Sequence, residues 1–198
     1  MPAPPPPSYY DDLPATLDEV WGLLVRGAVD RRHAFHTPTV ATVGLDGTPR
    51  LRTVVLRAVD ARARTVRFHT DRRSCKFAEL THTPAIALHA YDPGAKVQIR
   101  LSGTAVLHPF GSDLAASAWR HSQAMSRLCY GQIAAPGTTV DDPRAALEGA
   151  TDEAAERNFV AVLTTVTRLE WLYLAHAGHR RALFSWESDT PSAVWLAP

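Results

Sequence analysis

Two spacings of apolar residues divide the chain into a helical start and a longer region of strands. Apolar residues from Val20 to Ala28 recur at helical spacing, and they follow Thr-Leu-Asp-Glu at 16–19, which has the form of a capping box. This pattern predicts a first helix over 17–30. From residue 40 the spacing changes to two, and Asp46-Gly47 then interrupts the alternation, which is a strong hairpin signal.

The rest of the chain continues mainly as short strands separated by turn residues. Strands are predicted over 40–45, 50–59, 65–69, 85–91, 96–108, 159–167, 169–174, 181–186 and 193–196. Helices are predicted over 75–80 and 111–130, and a surface excursion over 134–152. Many short strands with few helices predict a mainly β (β + α) fold, a closed or partly closed antiparallel barrel with flanking helices.

Composition narrows the function classes. The 198 residues suit one domain, and the net charge of +1 argues against bulk nucleic-acid or membrane-surface binding. Two cysteines and nine histidines, without carboxylates at matching spacing, predict neither a disulfide framework nor a metal site. The proline-rich start lacks signal-peptide features. We therefore predict a disordered lead over 1–14, a single domain over 15–198, no membrane span and a cytoplasmic protein.

Arginines on the second predicted strand are the first candidates for chemistry. Successive strand residues point to opposite faces, so Arg52 shares one face with Val54 and Leu56, whereas Arg57 lies on the other. Two arginines on one strand could flank an anion. The alternative is a solvated outer face whose long side chains cover apolar surface.

A basic helix start forms the second candidate. The strand ending at Thr70 leads directly into a helix that begins after Ser74, and Arg72, Arg73 and Lys76 surround that beginning. Free N–H groups and the helix dipole favour an anion there, whereas cations normally prefer the last turn. A bound phosphate explains the basic residues, and an exposed basic turn is the alternative.

Two further features lie on later strands. Gln98 has an amide that can both donate to and accept from a planar heterocycle, or it is an ordinary outward-facing polar residue. Trp171 and Arg181, across the last long hairpin, could cover a ring system and reach an anion. A buried tryptophan is, however, more often simply part of a core.

In this order the motifs resemble the pyridoxamine 5'-phosphate oxidase family of FMN-binding split β-barrels. The resemblance rests on Arg52-Thr53-Val54-Val55-Leu56-Arg57, His69-Thr70, Ser74-Cys75-Lys76, Gln98 to Gly103, Trp171, Arg181 and the terminal Leu196-Ala197-Pro198. It covers residues 35–198. No single motif is specific, but the ordered set is.

The resemblance implies a homodimer with FMN at the subunit interface. The phosphate would be held by Arg52, Lys76 and Ser74, and the ring would meet the backbone of residues 54–56. The implied cofactor contacts are Arg52, Thr53, Val54, Val55, Leu56, Arg57, His69, Thr70, Ser74, Cys75, Lys76, Gln98, Gln132, Trp171 and Arg181.

The chain departs from the family pattern in ways that bear on the substrate. Cys75 stands where the family has a phosphate-binding arginine, and Arg72 or Arg73 could substitute for that charge. Cys75 is either a reactive thiol at a helix start or a small residue beside the phosphate. Arg57 replaces a lysine, which keeps the charge but changes the geometry.

The substrate-phosphate positions are also altered. They fall here at Leu114, Ala118 and Ser122, and the C-terminal Arg-x-His motif becomes Ala177-Gly178-His179. Losing those arginines would remove charge-assisted contacts worth about 1.5–3 kcal/mol each. The cofactor site is retained in the sequence, whereas the substrate site has changed.

The expected activity is therefore flavin-dependent oxidation or reduction of a small molecule other than pyridoxamine 5'-phosphate. The cofactor would carry the chemistry, so no catalytic acid or base is assigned, and Arg57, Ser122 and His179 are the candidate substrate contacts. Whether oxygen or NAD(P)H is the electron partner stays open. Two alternatives also remain, a protein that holds flavin without turnover and a barrel relative that uses a deazaflavin or haem.

Overall fold

The computed structural model describes residues 7–142, 144, 151–175, 178–188 and 190–198. Its strands are β1 Thr39–Val43, β2 Pro49–Thr53, β3 Ala58–Asp60, β4 Thr65–Asp71, β5 Ala85–Asp92, β6 Val97–Pro109, β7 Phe159–Tyr173, β8 Arg180–Ser185 and β9 Ser192–Leu196. Its α-helices are α1 Leu13–Val29, α2 Cys75–His82, α3 Asp113–Arg120, α4 Ala124–Arg127 and α5 Asp152–Asn158.

All these strands belong to one antiparallel sheet in the order β2-β1-β5-β6-β7-β4-β3, with β8 paired to β7 and β9 to β8. The long strand β7 divides the sheet, because its first half pairs with β4 and its second half with β8, while β6 follows it throughout. The split antiparallel β-barrel expected from the sequence is confirmed.

A bulge in β7, where Thr167 is the extra residue, accompanies this division. The register between β6 and β7 shifts at Ser102/Gly103. A Cβ atom on Gly103 would lie 2.0 Å from the carbonyl oxygen of Thr165, so the backbones approach more closely than any side chain permits.

The barrel interior is filled by apolar side chains from most of the strands and from α1. Phe68, Leu101, Leu169, Trp171 and Phe184 are all at most 2% exposed. A second cluster joins α3 and α5 to the start of β7 through Trp119, Ala155 and Phe159. These two clusters fix β4 and β7 from both sides.

The first helix begins earlier than the sequence pattern predicted. Asp12 caps it by accepting a hydrogen bond from the backbone N–H of Ala15 at 2.7 Å, and Pro14 lies in its first turn. Thr16 is not the cap but a fully buried residue whose hydroxyl donates to the carbonyl of Tyr9. The proposed capping box at 16–19 is therefore wrong.

The predicted disordered lead is also too long. Ser8–Asp11 forms a 3-10 helix, and Tyr10 is buried against the rings of Trp171 and Tyr173. Residues 8–14 are thus folded onto the barrel by aromatic packing that a proline-rich composition does not reveal. Residues 1–6 of the predicted lead lie outside the described residues.

Three other predicted elements have different limits. The strand expected over 50–59 is two strands, because residues 54–57 leave the ladder and run beside residues 36–38. The helix expected over 111–130 breaks into α3, α4 and a 3-10 turn, because Gln123 adopts an extended conformation. The strands expected over 159–167 and 169–174 are one continuous strand.

The described helices include none with the length and apolar character needed to cross a membrane. The excursion expected over 134–152 is described only in part, since residues 143 and 145–150 lie outside the described residues. Its described part before residue 143 forms neither helix nor strand.

Candidate functional site

Arg52 and the helix α2 meet at one mouth of the barrel. The guanidinium of Arg52 forms an ion pair with Glu79 at 2.6 Å and also donates to the hydroxyl of Thr42. That hydroxyl in turn donates to the same Glu79 carboxylate. Glu79 is 5% exposed, so α2 holds Arg52 through a buried carboxylate. A buried carboxylate with two such partners fixes the direction of the guanidinium.

Lys76 lies one helical turn before Glu79 and is the second cation at this mouth. Its Nζ atom is 5.3 Å from the centre of the Phe68 ring. Burial, and then the neighbouring Arg52, lower the pKa of Lys76 to about 8, and the attraction of Glu79 only partly opposes this. Two cations, Arg52 and Lys76, thus stand near the one carboxylate of Glu79. One positive charge remains, which an anion would offset.

Two hydroxyls complete this part of the site. Ser74 caps α2 by accepting from the backbone N–H of Phe77, and its hydroxyl lies 3.1 Å from that of Thr70. Thr70 is 4% exposed and points to the same side of β4 as Phe68. Thr70 and Ser74 thus meet at the start of α2, and Glu79 holds Arg52 against the same helix, whereas their role at a phosphate stays a prediction.

Arg73 does not supply the charge that Cys75 lacks. It forms a 2.7 Å ion pair with Asp71, which is 5% exposed, and donates to the backbone carbonyls of Tyr130 and Gln132. These bonds commit Arg73 to holding the 130–133 loop against the start of α2. The expectation that Arg73 replaces the charge missing at Cys75 is therefore wrong. Arg72 is exposed and makes no described side-chain contact.

Gln132 reaches this neighbourhood through the same bonds. Its carbonyl is 2.8 Å from the Arg73 guanidinium, and its side chain is half-buried. Cys75 is exposed, and a Cβ atom on Gly137 would lie 4.0 Å from its sulfur. Gln132 thus lies beside the start of α2.

The 53–57 segment offers fewer backbone donors than the sequence analysis assumed. Val54 and Leu56 are buried, and their N–H groups donate to the carbonyls of Pro38 and His36. The N–H of Arg57 donates to the carbonyl of Arg67. The N–H of Val55 has no acceptor among the described residues, and contact of residues 54–56 with a ring stays a prediction.

The outer face of the sheet carries a separate polar group. Gln98 lies 3.2 Å from His89, and Arg100 and Arg181 both bind Glu170. Burial alone would raise the pKa of Glu170, but hydrogen bonds from Arg181 and Arg100 bring it below its ordinary value. A cavity of about 510 Å³ opens on this face and includes Arg100, Glu170 and the apolar Leu51 and Leu183.

Trp171 does not join Gln98 and Arg181. The register pairs Leu172 with both Gln98 and Arg181, so Trp171 points to the opposite side of β7. It is 1% exposed and packs edge-on against Tyr10 at 4.9 Å. Trp171 is therefore a core residue, which is the alternative to a ring contact that the sequence also allowed.

His69 likewise points away from the phosphate side. Its ring packs against Phe159 at 4.6 Å, on the face of β4 opposite Thr70, and its Nε2 is buried without a described partner. Burial, and then Arg67 and Arg57, lower the pKa of His69 to about 3. The side chain of His69 is thus a neutral group beside two arginines, and it does not reach the mouth of Arg52.

The three substrate candidates are not joined by contacts. Ser122 donates to the carbonyl of Ala118 at the end of α3, and His179 accepts from the N–H of Ala175 at the β7–β8 turn. Within the described part of the chain, no contact links either to Arg57. Ala177, named in the sequence analysis, lies outside the described residues.

Sequence reasoning missed Glu79 and Arg67. Glu79 could have been found from its helical spacing to Lys76, which puts both on one face of α2. Arg67 alternates with His69 along β4, but the sequence gives no sign that the N–H of Arg57 donates to its carbonyl. The described residues contain no group of three or more potential metal ligands.

Comparison with known proteins agrees with this architecture. Residues 18–109 match the family model described as pyridoxamine 5'-phosphate oxidase, FMN-binding domain. A pyridoxine/pyridoxamine 5'-phosphate oxidase 2 from Arabidopsis thaliana is 33% identical over 119 residues, which are 56% of this chain and 60% of that protein. The chain thus spans less than two thirds of the length of this relative.

Two solved structures share the fold. An FMN-binding protein from Nostoc punctiforme, described as pyridoxamine 5'-phosphate oxidase-related, has a TM-score of 0.77 and 22% identity, with 91% of this chain and 96% of that chain covered. PhzG from Burkholderia lata, solved with tetrahydrophenazine-1-carboxylic acid, has a TM-score of 0.74 and 23% identity, with 96% of each chain covered. The resemblance seen in the sequence is thus confirmed: residues 18–109 are similar to the FMN-binding domain of the pyridoxamine 5'-phosphate oxidases, and the chain shares the split-barrel fold of both solved structures.

Proposed function

We propose that this protein is an FMN-dependent oxidoreductase that acts on a small molecule. The observation that carries the proposal is a pair of cations beside α2, Arg52 from β2 and Lys76 from the first turn of α2, with Glu79 near both and ion-paired to Arg52. A phosphate monoester fits this arrangement, because its charge of about −2 exceeds the surplus of one positive charge and its oxygens match guanidinium, ammonium and hydroxyl donors.

Each residue at this mouth has a distinct task. Glu79 and Thr42 hold the Arg52 guanidinium, Lys76 supplies a compact charge, and Ser74 caps the start of α2, whose dipole favours an anion. FMN would supply hydride chemistry at its ring, while these residues bind and orient it. Residues 53–57 continue from Arg52 and would lie beside the ring.

A homodimer with the cofactor at the subunit interface is part of the proposal. The outer sheet face supports it, because the cavity there combines exposed apolar residues such as Leu51 with the Arg100–Glu170–Arg181 group. Leu51 is 67% exposed in the single subunit. Gln98, Arg181 and Gln132 are the proposed ring contacts, and a cytoplasmic location is proposed with them.

The test compares FMN with riboflavin, which has the same ring and no phosphate. Lys76→Met keeps the aliphatic stem and removes the charge, so FMN should bind about 10- to 100-fold more weakly, the loss expected for one charge-assisted hydrogen bond. Riboflavin affinity should be unchanged, and the exposed Lys96→Met should alter neither. Equal losses for FMN and riboflavin, or no FMN binding by the wild type, would contradict the proposal.

The pH dependence of binding gives an independent check. Since the pKa of Lys76 is about 8 without an anion, the side chain loses its charge as the pH rises above about 8. FMN affinity should therefore fall above that pH in the wild type and not in Lys76→Met. Fluorescence titration of FMN at a series of pH values measures this directly.

Turnover separates an enzyme from a flavin-holding protein. The FMN-loaded protein is reduced anaerobically with NAD(P)H or candidate amines, and air is then admitted while the flavin spectrum is followed. Reduction and reoxidation support the oxidoreductase. A Soret band in the purified protein, or binding of a deazaflavin in preference to FMN, would favour the alternative cofactors.

A further inference from the structure

An open cleft of about 610 Å³ lies between α1 and the turn that joins β3 to β4. Trp21 of α1 and Trp186, which follows β8, contribute indole rings to it, and Arg62 and Arg64 line it from the turn. Arg64 precedes the seven residues of β4, whereas α2 begins after that strand, so the cleft is roughly 20 Å from the start of α2. None of the residues that line the cleft is among the proposed flavin contacts.

The α1 side of the cleft is apolar and has a gap in it. Leu17, Trp21 and Val25 recur every four residues, so they form one row along the helix. A Cβ atom on Gly22 would have nothing within 4 Å, which leaves the helix surface beside this row open. The cleft is therefore a hollow beside α1 and not a packed contact.

The arginines of the turn bring charge that is not paired within the described part of the chain. Neither Arg62 nor Arg64 forms an ion pair or a side-chain hydrogen bond with a described residue. The Arg64 guanidinium lies 5.3 Å from the centre of the Trp186 ring, yet its Nε is buried without a described partner. Asp18, which is exposed, is the one acid among the described residues that line the cleft. One positive charge is thus in surplus.

The backbone of Arg64 has a conformation that arginine adopts rarely. Its φ is 55°, a region that glycine and asparagine enter more readily. The carbonyl of Arg64 accepts a hydrogen bond from the N–H of Val166 at 2.8 Å, which fixes this residue at the start of β4. Strained residues of this kind are typical of functional sites, so the strain points to a role for the Arg64 side chain.

These features select a flat molecule with one negative charge. Indole rings offer flat apolar surfaces to an aromatic ring. Guanidiniums bind a carboxylate through two N–H donors and also stack on aromatic rings. The single surplus charge matches a monoanion and not a phosphate monoester, whose charge is about −2.

We propose that this cleft is a second ligand site, which binds an aromatic carboxylate against its two indole rings with the carboxylate on Arg62 and Arg64. The site lies apart from the flavin site and does not depend on FMN. A ligand in it would connect α1 to the β3–β4 turn.

The experiment is calorimetric titration of the full chain with 2-naphthoate, without FMN and with saturating FMN. The wild type should bind one naphthoate per chain with the same affinity in both conditions. The neutral 2-naphthamide lacks the charge and acetate lacks the ring, so each should bind at least about tenfold more weakly than naphthoate.

Two variants test the two sides of the cleft. Arg64→Met keeps an unbranched side chain and removes the charge and the donors, so naphthoate should bind at least about tenfold more weakly. Gly22→Leu fills the gap beside the apolar row with a good helix former, so it should abolish binding and keep or raise the thermal midpoint. Arg32→Met, exposed after α1, is the matched control and should bind naphthoate like the wild type.

Arg64→Gly separates binding from a structural role, because glycine accepts the positive φ. It should lose naphthoate binding and melt no lower than the wild type. The inference is overturned if the wild type does not bind naphthoate, if naphthamide binds as tightly, if FMN displaces naphthoate, if Arg64→Met binds like the wild type, or if Arg64→Gly melts lower. None of these outcomes depends on whether FMN binds at Arg52 and Lys76, so the proposed function stands or fails separately.

Discussion

His69 makes the stability of the protein depend on pH in a predictable direction. Burial, and then Arg67 and Arg57, lower its pKa from the ordinary 6.5 to about 3 in the native state. Between these two values the unfolded chain binds a proton on this ring that the native protein does not bind. The contribution of His69 is thus fully present above pH 6.5 and is lost progressively as the pH falls toward about 3.

The magnitude follows from the two pKa values. At about pH 5, roughly 1.5 pH units below the ordinary pKa, protonation of His69 stabilises the unfolded state by about 2 kcal/mol relative to the native state. At about pH 7 this contribution is close to zero. His69→Phe removes the titration and retains a ring against Phe159. Its Nε2 has no described partner, so this replacement loses no described hydrogen bond.

The assay is urea unfolding of the wild type and His69→Phe at about pH 7 and pH 5, at constant ionic strength. We expect the wild type to lose about 2 kcal/mol more than the variant over this interval. The exposed His82→Gln should retain the wild-type pH dependence. Equal slopes for the wild type and His69→Phe would refute the account of a desolvated, cation-flanked imidazole.

Two further predictions concern the framework around the site. Gly103→Ala should lower the free energy of unfolding by about 3 kcal/mol, because its Cβ would lie 2.0 Å from the Thr165 carbonyl oxygen. Gly22→Ala, which has nothing within 4 Å of its Cβ, should instead stabilise α1 by about 0.5–1 kcal/mol. Similar losses in both variants, measured by urea unfolding, would contradict the close approach at Gly103. Arg73→Ala should cost about 3 kcal/mol because it leaves a buried carboxylate unpaired, and the exposed Arg72→Ala should leave the unfolding free energy within about 0.5 kcal/mol. A mild effect of Arg73→Ala would show that the 130–133 loop is held by other contacts.

Features decided by local chemistry were predictable from the sequence. The Asp46-Gly47 hairpin pairs Val43 with Pro49, and Gly47 has a φ of 78°, as its turn requires. Ser74 caps α2 as the basic strand-to-helix turn suggested. In both places two or three adjacent residues determine the backbone, so distant parts of the chain need not be known.

Features decided by strand register and remote packing were not. The capping residue of α1 is Asp12 and not Thr16, because Tyr9 and Tyr10 attach the preceding turn to the barrel. Trp171 is in the core, because Leu172 is the residue that pairs with Gln98. A residue's face depends on which partner strand lies opposite it, and the sequence of one strand does not contain that information.

The same limit explains why the basic residues differ in how much the sequence says about them. Arg52 and Lys76 each stand in a local context, a basic strand or a helix start, that is unusual without a phosphate. Arg67 stands in an ordinary strand context, where a basic residue alternating with apolar ones reads as a solvated face. Only the fold shows that its Nε is buried without a described partner. A surplus of positive charge becomes informative when the fold has used up every neighbouring carboxylate, as Arg73 does with Asp71.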